Sequence, residues 1–117
     1  MKNRSPITTH VLDLSSGRPA KGVAVTLSSR TGEARWDDLA LGVTDADGRI
    51  TDLLPEGTPL VVGAYRLQFE THDYFLAQGV QAFHPSVVVQ FLVDEPSGHF
   101  HVPLLLSPFG YSTYRGS

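Results

Sequence analysis

The chain contains no cysteine, one methionine and one tryptophan. Without cysteine there is no disulfide framework and no thiolate-ligated zinc site. A cysteine-free chain fits a reducing compartment, and a cytoplasmic location is the expectation. No apolar stretch approaches the ~18 residues of a membrane span, so no segment is expected to cross a bilayer. There is no basic run, and nine Lys and Arg against twelve Asp and Glu give a formal charge of −3. Nucleic acid is therefore not an expected partner. Met1-Lys2-Asn3-Arg4-Ser5-Pro6 has no apolar h-region, so no secretory leader is expected. Arg115-Gly116-Ser117 is not a peroxisomal signal of the Ser-Lys-Leu type. Gly-x-Ser-x-Gly, Gly-x-x-x-x-Gly-Lys and Gly-x-Gly-x-x-Gly are all missing, which removes the serine-hydrolase elbow and both nucleotide-binding loops.

What is present reads as a β protein. The 117 residues, 41% of them hydrophobic, imply one domain, residues 1–117, able to bury a core unaided. Ile7 to Leu14 reads as a first strand, followed by turn chemistry over Ser15 to Pro19. Val23, Val25 and Leu27 alternate with smaller or polar residues, the period of a half-buried strand. Ser29 to Gly32 reads as a polar turn. Leu39, Leu41 and Val43 alternate again, and Asp45-Ala46-Asp47-Gly48 predicts a hairpin turn. Leu53 to Pro59 reads as loop. Tyr65, Leu67 and Phe69 form the clearest alternating strand. Thr71 to Gly79 predicts a short helix, capped by Thr71 and stopped by Gly79. The apolar run within Ser86 to Val93 predicts a strand covered on both faces. Phe100, Val102, Leu104 and Leu106 point one way from a last long strand, and His99, His101, Pro103 and Leu105 the other. After the turn Ser107 to Gly110 the chain ends in an aromatic and cationic tail. Seven or eight short strands with one short helix define an all-β sandwich.

Five histidines invite a chemical reading. His72 and His84 fall in surface positions. His10 lies among apolar residues in the first strand, where a satisfied structural histidine and a reactive one look alike. His99 and His101 are two apart, so their rings leave the same face. With His10 they could form a three-histidine zinc site, or they could simply be polar residues facing solvent. Leu105 shares their face, which suggests that a second subunit covers it. Arg49 and Arg115 are each either solvated charges or fixed guanidinium forks for a planar carbonyl or anion.

Three segments together resemble one family. They are Thr8-Thr9-His10-Val11-Leu12-Asp13 continuing to Gly17-Arg18-Pro19-Ala20, Gly42 to Arg49, and His99 to Ser117 with its Tyr114-Arg115-Gly116-Ser117 ending. They resemble the 5-hydroxyisourate hydrolases, the transthyretin-like enzymes of urate breakdown. That family also includes hormone carriers on the same fold, with lysine and threonine where this chain has His10 and His101, so the site and not the fold must decide function. The resemblance implies a transthyretin-like sandwich and a homotetramer, a dimer of dimers whose channel is lined by the histidine face. It implies metal-independent and cofactor-free opening of 5-hydroxyisourate. In that reading His10 and His101 are the acid/base pair, and Arg49 grips substrate oxygens and stabilises the oxyanion. Tyr114 and Arg115 help bind substrate, and Ser117, by hydroxyl or carboxylate, orients a histidine. A cation near the pair would depress the imidazole pKa and keep a ring neutral, as a base must be. A carrier without turnover, a zinc hydrolase and a protein-binding module remain as rival readings.

Overall fold

Strand alternation sets two sheets against each other. The computed structural model describes residues 4–117, so the leader reading at Met1 to Asn3 lies outside the described residues. Among the described residues the strands are β1 (Ile7–Asp13), β2 (Arg18–Pro19), β3 (Ala24–Arg30), β4 (Trp36–Val43), β5 (Arg49–Ile50), β6 (Gly63–Phe69), β7 (Val87–Val93), β8 (Phe100–Ser107) and β9 (Gly110–Thr113), with a single helix α1 (Thr71–Leu76). The first sheet runs β2-β1-β8-β9, with β5 also paired to β1, and the second runs β4-β3-β6-β7. Two of the nine strands are only two residues long, which is why alternation suggests seven or eight.

The inward residues of both sheets form one apolar core. Val25 and Leu27 of β3, Leu67 and Phe69 of β6, and Leu104 of β8 are fully buried. Each such side chain contributes about 1.5–3 kcal/mol relative to exposure. The β8 alternation is as expected, with Phe100, Val102, Leu104 and Leu106 all buried. β1 and β8 pair in parallel, Thr8 opposite His101 and His10 opposite Pro103. Strands from near the two ends of the chain thereby become neighbours.

Several expectations fail for identifiable reasons. Leu39, Leu41 and Val43 face out, Leu41 being 72% exposed. The inward residue is instead Gly42, where an added Cβ would lie 3.1 Å from Ile50 and 3.2 Å from Leu53. Large side chains from β5 and the loop after it fill that space, so β4 puts its small residues inside. Asp45 to Gly48 is a tight turn but not a hairpin, because β4 and β5 belong to different sheets. β7 is an edge strand whose outward Val88 and Leu92 are exposed in the single chain, so its continuous apolar run is not covered on both faces. Ser29 and Arg30 extend β3 rather than turning. Thr71 is a buried first residue of α1 and not its cap, since the N-cap is Glu70, with no side-chain capping bond. Gly79, at φ 70°, does follow the helix end as its stop.

Candidate active site

The outer face of β1 and β8 collects the reactive side chains. Ile7 and Val11 of β1 point into the core, so Thr8 and His10 point out. Phe100 and Val102 point into the core, so His101 points out beside Thr8. Thr8 Oγ1 lies 2.8 Å from His101 Nδ1 and 3.2 Å from His99 Nε2. A single hydroxyl thus bridges two imidazoles. Among the described residues no three His, Cys, Asp or Glu side chains are arranged to hold a metal ion.

Arg49 reaches this face through a locked turn. Asp45 Oδ1 accepts the backbone N–H of Asp47 at 2.9 Å and of Arg49 at 3.0 Å. Gly48 has φ +75°, and a Cβ there would stand 2.4 Å from the Val11 carbonyl oxygen. Only glycine lets this turn lie against β1. β5 then pairs with β1, Arg49 directly opposite His10 and Ile50 opposite Thr9.

The electrostatics follow from this placement. Burial lowers the pKa of His101 below its ordinary value, and the charges of Arg49, His10, His99 and Arg4 push it the same way. Burial and then Arg49 also lower that of His10, against opposing effects of the Asp47 backbone and the Asp45 and Asp47 carboxylates. His99 is lowered by burial and by Arg4. The neutral ring, with a lone pair on one nitrogen, is therefore favoured for all three.

The tail folds back onto the site. Gly116 pairs with His101, its N–H donating to the His101 carbonyl at 2.8 Å. A Cβ on Gly116 would fall 2.5 Å from His101 Cδ2, so only glycine passes this close to the ring. Ser117 follows one residue beyond and is exposed. Tyr114 and Arg115 meet His101, but not His10 or Arg49, in the single chain. They line a cleft of about 320 Å³ between β7 and β8, and the Arg115 guanidinium stacks 4.6 Å from the Phe100 ring centroid. Phe100 is on the core side of β8, and His101 lines the same cleft, so Arg115 shares a cavity with His101 but not with His10 or Arg49. Of the residues singled out in the sequence, His10, Arg49 and His101 come together, Ser117 follows the Gly116 that pairs with His101, and Tyr114 and Arg115 share an edge cleft with His101.

Sequence reasoning missed Thr8 and Gly116. Thr8 could have been found from its spacing, two residues before His10 and so on the same face. His10, His99 and His101 are half-buried and Arg49 is exposed, which leaves the face open to solvent in the single chain.

A transthyretin-type sandwich carrying imidazoles and a guanidinium on one outer face is what the fold and site define. The model of the HIUase/Transthyretin family matches residues 7–116, and the chain belongs to that family. It is 51% identical over 118 residues to the 5-hydroxyisourate hydrolase of Caulobacter vibrioides, covering 97% of this chain and 99% of that one. The solved 5-hydroxyisourate hydrolase of Klebsiella pneumoniae superposes with a TM-score of 0.83 at 39% identity, covering all of both chains. Sea bream transthyretin, solved in complex with thyroxine, superposes with a TM-score of 0.87 at 38% identity, covering 96% of this chain and 95% of that one. The fold therefore does not separate the hydrolase from the transthyretin.

Proposed function

We propose that this chain hydrolyses 5-hydroxyisourate to 2-oxo-4-hydroxy-4-carboxy-5-ureidoimidazoline in urate breakdown, without a metal. The observation that carries the reading is the convergence of His10 and His101 with Arg49 on one sheet face. The high identity to named hydrolases supports it. Water adds to a carbonyl of the six-membered ring, and the adjoining ring C–N bond then breaks. The histidine pair takes one proton from water and returns one to the leaving nitrogen. Lowered imidazole pKa values leave a ring free to accept that proton at neutral pH. Arg49 supplies forked donors to the oxygen that gains charge in the tetrahedral intermediate. Ser117 orients a histidine from the tail, and Tyr114 and Arg115 contact substrate once the assembly forms.

That assembly is a dimer of dimers with the histidine faces opposed across the dimer–dimer interface. The half-buried, open state of the histidine face in a single chain supports it, as does Leu105 on the same side. The proposal treats residues 1–117 as one hydrolase domain in a cytoplasmic setting. No helix among the described residues is long and apolar enough to cross a membrane.

The test is the ultraviolet decay of freshly generated 5-hydroxyisourate with and without protein. Acceleration that survives exhaustive chelation is the expected result. Stoichiometric binding with no acceleration would instead make the chain a carrier.

A further inference from the structure

Thr8 is 2% exposed, and its hydroxyl is held between His101 Nδ1 and His99 Nε2. A hydroxyl owns one proton and two lone pairs, so it can donate to only one of these rings. The other ring must donate to it. We propose that Thr8 is a positioning residue that fixes which ring nitrogen of His101 is bare, and that with His99 it forms a hydroxyl-bridged relay for the proton His101 receives. The inference rests on the hydrolytic reading above.

The arrangement that leaves a base is specific. His101 Nδ1–H donates to Thr8 Oγ1, Thr8 O–H donates to His99 Nε2, and His101 Nε2 keeps a free lone pair. In the reversed chain His99 Nε2–H donates to Thr8 and Thr8 donates to His101 Nδ1. His101 Nε2 then carries a proton and cannot act as base. A concerted shift along the three groups converts the first chain of hydrogen bonds into the second only when a proton is also delivered to His101 Nε2, and His99 then carries the positive charge.

Catalysis connects them. As water attacks, its O–H bond breaks and the proton joins His101 Nε2. The Nδ1 proton of His101 passes to Thr8, and the proton of Thr8 passes to His99 Nε2. His101 and Thr8 end neutral and His99 becomes the imidazolium. When the leaving nitrogen takes its proton from His101 Nε2, the shift runs backward and all three groups regain their starting forms. The charge gains by moving. His101 feels Arg49 from β5, His10 from β1, and also His99 and Arg4. Of these neighbours, only Arg4 also acts on His99. The relay therefore carries positive charge away from Arg49, which is left free to serve the oxyanion.

The test pairs kinetics with a substrate-free readout. Thr8→Val keeps the shape of the side chain and removes the hydroxyl. It should lower kcat by roughly ten- to a hundredfold, the scale of stripping one buried hydrogen-bond partner, with KM little changed. Thr8→Ser should rescue kcat. His99→Gln, which cannot become a cation, should lower kcat similarly, and the double variant should be no worse than Thr8→Val alone. Nitrogen-15 spectra of the labelled free protein should show the Nδ1–H form of His101 in the parent and in Thr8→Ser, and its loss in Thr8→Val. Should Thr8→Val fail to fold, the parent and Thr8→Ser spectra and the His99→Gln kinetics still decide. An Nε2–H form of His101 in the parent, parent-like kcat in Thr8→Val, or multiplicative losses in the double variant would overturn the relay. A parent with no activity but the expected His101 spectrum would overturn the hydrolytic reading instead.

Discussion

The two outer faces of the sandwich are built by the same alternation and carry different chemistry. On the β4-β3-β6-β7 sheet the outward positions hold Leu41, Val43, Thr26, Gln68 and Val88. Its one central cation, Arg66, stacks 4.5 Å over the Trp36 ring, so its charge is committed to an indole. On the other sheet the outward positions hold Thr8, His10 and His101, and Arg49 stands opposite His10 with no such stack. Both sheets share one core, so packing does not distinguish them. The faces differ in where a guanidinium is aimed and in whether imidazoles, rather than methyl groups, stand beside it.

The largest expected effect separates the faces by catalysis. His101→Asn and His10→Asn should each cut turnover of 5-hydroxyisourate by roughly 10²–10⁴, the usual scale for acid–base groups. A variant within about threefold of the parent would end that residue's catalytic role.

Gly48→Ala comes next. It puts a side chain at φ +75° and 2.4 Å from the Val11 carbonyl. Stability should fall by about 2–4 kcal/mol in urea unfolding. Because Arg49 is placed by this turn, kcat/KM should fall further than the folded fraction accounts for.

pH should also act on one face. His10, His99 and His101 all sit below 6.5 in the folded protein. Activity should hold at neutral pH and decline only on acidification past 6.5, as the rings gain protons. Stability has the same sign. As pH falls through 6.5 the unfolded chain binds protons before the folded one, so stability drops until the folded rings titrate, then levels. Loss of stability on raising the pH across that window would contradict the assigned directions.

The smallest effect belongs to the other face. Leu41→Lys, at a position 72% exposed, should change stability by less than about 0.5 kcal/mol and leave turnover unchanged. A marked loss would show that this sheet also contributes to the site or its assembly.

How much of this was legible depends on whether neighbours in sequence or in space decide the matter. Tyr65-Leu67-Phe69 and Phe100 to Leu106 alternate without ambiguity, because their large residues have only the core to enter. β4 misleads because Ile50 and Leu53 already occupy the core beneath it, a fact no local window contains. β7 misleads because a run of valines looks the same at a sheet edge as at its centre. In the site, His10, His101 and Arg49 stand out by residue type. Thr8 does not, since threonine is common in strands for its shape alone, and its bridging role needs the parallel β1–β8 register. The stacking of Arg115 on Phe100 is equally invisible until the tail is seen crossing the sheet edge.

The parallel pairing of β1 with β8 also has a consequence for how the protein comes into being. Thr8 and His101 are separated by 93 positions, and chains are made from the N-terminus onward. The first strand must therefore wait, one flank without its permanent neighbour, while almost everything else is synthesised. Contacts this distant along the chain close slowly. A nascent molecule can have half a sandwich and still lack the proposed reactive centre, because Thr8 and His10 meet their partners only once β8 is made.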